Sequence, residues 1–103
     1  TDWDRIVVLY EALGRVAPSP VVELNRAVAV AMASGPAQAL AIVDELIALD
    51  RLPGSHLVPT VRGELLARLG RRPEARADLE LAARLCANQR ERSVLLRKAA
   101  ALG

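Results

Sequence analysis

From Trp3 to Leu102, apolar residues recur every three or four positions, the spacing of an amphipathic helix. The recurrence is broken five times by short runs of Gly, Pro, Ser or Asn. Ala17-Pro18-Ser19-Pro20 ends a first helix that starts at Trp3 and reaches about Val16, with Thr1 or Asp2 as its N-cap. Ser19 caps the second helix, and Pro20 takes its first position, where a missing N–H is harmless. This helix reaches about Ala33. Gly35-Pro36 repeats the device and opens a third helix to about Leu49. The longest connection is Asp50–Ser55. A fourth helix covers about Leu57–Leu69, with Pro59 in its first turn, and Gly70 ends it. Pro73 opens a fifth, to about Cys86. Asn88 caps a sixth, about Gln89–Leu102, and Glu91 three residues later resembles a capping box. No stretch alternates apolar with polar residues long enough to make a strand. The fold expected is all-α: six helices joined by short turns as antiparallel hairpins.

The helices differ in which faces are apolar. From Ala27 to Ala33 the second contains only Ala, Val and Met, so it should be covered on several sides and lie in the middle of the structure. In the fifth, Ala75, Leu79, Ala82 and Leu85 form one stripe. In the sixth, Leu95, Ala99 and Leu102 turn inward and the arginines outward. Apolar residues wrap most of the first helix, from Trp3 through Tyr10 to Val16. One neighbour covers one side of such a helix. A face including Val7, Val8, Leu9 and Ala12 is therefore expected to be exposed and to drive self-association.

The chain also matches itself at an offset of 36 residues. Ala39, Ala41, Val43 and Leu49 realign with Ala75, Ala77, Leu79 and Leu85, and Ala27 realigns with Gly63. Small residues at fixed spacing let paired helices approach closely. The pattern resembles the tetratricopeptide class, most clearly along Leu65–Ala75. One repeat would be Pro20–Asp50 and the next Leu57–Ala87, stacked as a right-handed solenoid within a single domain, residues 1–103. Helix one would belong to a preceding hairpin and helix six would be a cap. The Trp that marks such repeats is missing: Glu23 and Pro59 stand in its place.

Composition narrows the chemistry. Cys86 is the single cysteine, which excludes an intrachain disulfide and offers no cysteine pair for a metal. It reads as a small buried hydrophobe. His56, the single histidine, reads as a cap or packing contact rather than an acid or base, and no serine has a histidine partner in a recognisable motif. No Gly-rich phosphate loop is present. No catalytic residue, cofactor or metal is expected, and no enzymatic activity. No apolar run spans a bilayer and no signal peptide opens the chain, so a cytoplasmic location is expected. Residues 1–50 hold seven acids and three bases, a net of −4; residues 51–103 hold five acids and eleven bases, a net of +6. The bases spread over several helix faces, so a DNA groove contact is not expected of this chain alone. Asn25 and Arg26, early in the most apolar helix, need partners inside the molecule or in a groove. With His56 and Glu64 they form the candidate interaction or structural polar network.

Longer blocks point to a particular family. Thr1-Asp2-Trp3 and Ile6–Leu13 are followed by Pro18–Ala31, the most specific block. Then come Gly35-Pro36, His56-Leu57 with Pro59, Leu65-Leu66 with Leu69-Gly70-Arg71, Glu74-Ala75, and Asn88 with Glu91-Arg92. This series, in order and spacing, is similar to the C-terminal tetratricopeptide-like extension of a group of bacterial extracytoplasmic-function (sigma-70 type) RNA polymerase sigma factors. It departs from that pattern at Ser55, where an aromatic residue would precede the histidine, and at Gly63, where alanine is more usual. The resemblance implies a regulatory tail that modulates transcription initiation in place of a separate anti-sigma protein. Its partners would be the upstream sigma domains of the same chain and RNA polymerase, with DNA met only through those domains. Thr1 would then lie inside a longer protein. The competing readings are a free-standing tetratricopeptide-type adaptor and a small-ligand sensor.

Overall fold

In a computed structural model, which describes residues 1–103, the chain forms six helices and no strand. They are α1 (Trp3–Val16), α2 (Pro20–Ser34), α3 (Pro36–Ala48), α4 (Leu57–Arg68), α5 (Arg72–Leu85) and α6 (Gln89–Leu102). The boundaries follow the punctuation. Asp2, not Thr1, caps α1, its carboxylate accepting from Arg5 N at 3.1 Å. Ser19 Oγ accepts from Val21 N at 3.2 Å, and Asn88 Oδ1 from Glu91 N at 3.1 Å. These bonds satisfy backbone donors that have no partner within their helices. Gly35 serves as both the end of α2 and the start of α3, at φ 106°. α5 stops one residue before Cys86, whose backbone is extended.

The helices group into two compact units, Thr1–Leu52 and Pro53–Gly103. In the first, α2 packs against both α1 and α3. It is the central helix, burying Leu24, Ala27, Ala29, Val30 and Ala31, whereas α1 buries no residue completely. The apolar run of α2 is nevertheless not covered all round. Val21, Asn25, Val28 and Met32, spaced four, three and four residues apart, form an exposed stripe. Alanines with Leu24 and Val30 fill the contacts, and Val21, Val28 and Met32 are left outside.

In the second unit α5 packs against both α4 and α6. Leu79, Ala82, Ala83 and Cys86 meet Leu95 and Ala99, with Leu102 at the margin. Leu85 corrects the expected stripe: it is 41% exposed, because the buried arc passes from Ala82 to Ala83 and Cys86 as the helix ends. α4 approaches α5 closely at Gly63. A Cβ there would lie 2.9 Å from Leu79 Cγ and 3.2 Å from the Ala75 carbonyl oxygen. Arg62 ties the same two helices, donating to Asp78 at 2.7 Å.

Candidate functional site

The candidate polar residues each find a partner, or a surface, within their own unit. Arg26 donates to Glu23 at 3.0 Å across one turn of α2. Both side chains are partly solvated, so this is a local helix pair rather than a buried network. Asn25 corrects the expectation of an internal partner. Its position, one residue before Arg26, turns it about 100° away and onto the exposed stripe between Val21 and Val28.

His56 and Glu64 lie on the side of α4 that faces α6. Glu64 pairs with Lys98 of α6. His56, at the N-cap position of α4, places Nε2 3.3 Å from Glu91 Oε2 of α6. Between these two ties runs a groove of about 300 Å³. Leu57, Thr60, Val94 and Leu95 supply much of its wall. Of the two roles the sequence left open to His56, cap or packing contact, its side chain takes the contact: the residue holds the N-cap position but makes no side-chain cap bond. Ser55 Oγ takes the capping role by accepting from Leu57 N at 3.2 Å, and the Thr60 hydroxyl donates to the His56 carbonyl at 2.7 Å. The His56 backbone is thereby fixed while its imidazole is free to face α6.

Cys86 is buried, as expected, but it is not surrounded by apolar atoms alone. Its Sγ lies 3.4 Å from Glu91 Oε2 and 3.4 Å from the Asn88 carbonyl oxygen. Arg92 donates to the Cys86 carbonyl at 2.6 Å and closes the α5–α6 turn. The donor atoms of His56, Cys86 and Glu91 therefore converge, all within 4.8 Å of one another. Residue spacing gave no sign of this cluster. Thirty positions separate His56 from Cys86, and only the packing of α4 and α6 on α5 brings their ends together. Glu91 stands at the capping-box position, yet its carboxylate turns to His56 and Cys86.

The face expected to be open on α1 is open in part. Val8 and Leu9 are 59% and 62% exposed, and the patch continues through Leu13 and Val16. Val7 and Ala12 are half-buried, because they turn toward the side that α2 covers. Trp3 and Tyr10 are likewise half-buried. No helix is long and apolar enough to cross a membrane.

No family model matches the chain. Over 91 residues, 88% of its length, it is 50% identical to an uncharacterized protein of Rhizobium meliloti (strain 1021). The chain spans about a fifth of that relative, 21% of its length.

Proposed function

We propose that this chain is a protein-interaction module, and specifically the regulatory tail of an extracytoplasmic-function sigma factor. Its hairpins would stack as a tetratricopeptide-like right-handed solenoid. The observation that carries the interaction reading is the α2 stripe. Val21, Val28 and Met32 offer apolar contact, and Asn25 stands among them with an amide that both donates and accepts. An unbranched, polarisable Met adapts to varied partners, and an amide can pair with the backbone of a docked segment. The stripe lies within Pro18–Ala31 and its continuation, the block most similar to the sigma-factor extension. A relative nearly five times longer than the matched region suits a module of a larger protein.

Regulation would work through differential binding. A tail that grips the upstream sigma domains in one state and releases them in another shifts the fraction able to engage RNA polymerase. The test is transcription by RNA polymerase reconstituted with the full-length protein from which the chain comes. Asn25→Ala combined with Met32→Glu should change promoter-dependent transcript yield about tenfold, with helix content unchanged. Unchanged transcription would remove the regulatory role. If the full-length protein contains no sigma domain, the free-standing adaptor reading replaces it, with the same stripe as its contact surface.

A further inference from the structure

Three helix ends meet at one corner of the second unit: the start of α4, the end of α5 and the start of α6. Each presents one side chain able to ligate a metal. The backbone beneath each is already fixed: by Thr60 and Ser55 around His56, by Arg92 on the Cys86 carbonyl, and by the Asn88 cap at Glu91. We propose that His56, Cys86 and Glu91 form a binding site for a thiophilic divalent cation of the zinc class, with a fourth coordination position left open.

The donor set and its spacing both support this. Around a tetrahedral zinc ion, with bonds of about 2.0–2.3 Å, neighbouring donor atoms stand roughly 3.3–3.5 Å apart. The His56 Nε2 to Glu91 Oε2 separation is 3.3 Å, and Cys86 Sγ to Glu91 Oε2 is 3.4 Å. The remaining edge, His56 to Cys86, is at most 4.8 Å and is the one that tightens. Thiolate with imidazole selects zinc-like ions over magnesium or calcium, which take oxygen. Charge also balances. A thiolate and a carboxylate neutralise a 2+ ion, and a neutral imidazole adds nothing, so no net charge is left beside a buried cysteine. In the metal-free protein the Cys86 thiol donates to oxygen. On binding, its S–H bond breaks, a sulfur–metal bond forms, and the proton leaves to solvent. His56 and Glu91 also line the α4–α6 groove, and their partial exposure gives the ion a way in.

The experiment titrates the 103-residue chain, reduced and metal-free, with Co²⁺ as a spectroscopic stand-in for Zn²⁺. One equivalent should produce a thiolate-to-cobalt charge-transfer band with the visible bands of tetrahedral cobalt. About one proton should be released per ion, and Zn²⁺ should bleach the spectrum. Cys86→Ser should abolish the charge-transfer band. His56→Ala and Glu91→Gln should each weaken binding about tenfold or more, the scale on which losing even a supporting group of a metal site is felt. Both substitutions sit on side chains that are partly (His56) or largely (Glu91) exposed and outside the apolar core, so they decide the matter even if Cys86→Ser disturbs that core. Saturating cobalt with no charge-transfer band overturns the proposal. So does a band whose affinity is unchanged in His56→Ala and Glu91→Gln, which would mean ligation by the thiol alone.

Discussion

At Gly63 a single missing methyl group fits the chain to its own repeat. Ala27 and Val43 occupy the positions in the first hairpin that Gly63 and Leu79 occupy in the second. The larger Leu79 stands where Val43 stood, and the smaller Gly63 opposite it makes room; Val43 and Leu79 are 0% and 2% exposed. The glycine in place of the first hairpin's alanine is thus a volume exchange. Gly63→Ala should cost about 1 kcal/mol in chemical denaturation, because overpacking by ~1–3 kcal/mol outweighs the gain of ~1 kcal/mol in helix propensity. In a Leu79→Val background the same change should become stabilising; a sign that does not reverse would disprove the exchange. Arg26→Ala should cost only about 0.5 kcal/mol by the same measurement, because its Glu23 partner is solvated and one turn away. Glu74 gives a pH signature. The hydrogen bonds from Arg71 above all, and the nearby Arg71 and Arg62 charges, lower its carboxyl pKa. A carboxyl depressed in the folded state lends stability above its unfolded pKa and loses it as pH falls through the folded one. NMR titration should find Glu74 below the ordinary glutamate range, and Arg71→Gln should bring it back.

At the scale of the element, most of the six helices were legible because their ends are written in residues with a local mechanism. Ser19, Gly35, Gly70 and Asn88 each act on backbone groups within a few positions, and no distant contact is needed to read them. Which face each helix hides was less legible. Alanines and valines in α2 look alike in sequence, yet packing against α1 and α3 buries Ala27 and Ala31 and leaves Val28 and Met32 outside. The convergence of His56, Cys86 and Glu91 was not legible at all, since it is a property of three helix ends and not of any one. The exposed face of α1 makes its own prediction. Val8, Leu9, Leu13 and Val16 together offer a patch on the order of several hundred Å², a size at which apolar surfaces make contacts. Sedimentation at high concentration should show self-association of the chain, and Val8→Glu with Leu9→Glu should abolish it. A wild-type chain that stays monomeric would show that this face needs no cover.

For the whole molecule the charge is as uneven as the sequence, with the excess of bases after residue 50. Several of those bases are engaged with acids on neighbouring turns or helices: Arg62 with Asp78, Arg71 with Glu74, Lys98 with Glu64. The chain alone should therefore bind duplex DNA only weakly and without sequence preference, an affinity that collapses between low and physiological salt. Nanomolar binding that survives physiological salt would contradict this. One more consequence follows from the way helices pack within each unit, chiefly against their neighbours in sequence. Few residues separate the surfaces that must meet, so little chain entropy is spent before contacts begin to reward it. Such a chain should refold within milliseconds when denaturant is diluted in a stopped-flow cell. Its α1–α3 unit can complete every one of its internal contacts while the residues after Leu52 are still being synthesised.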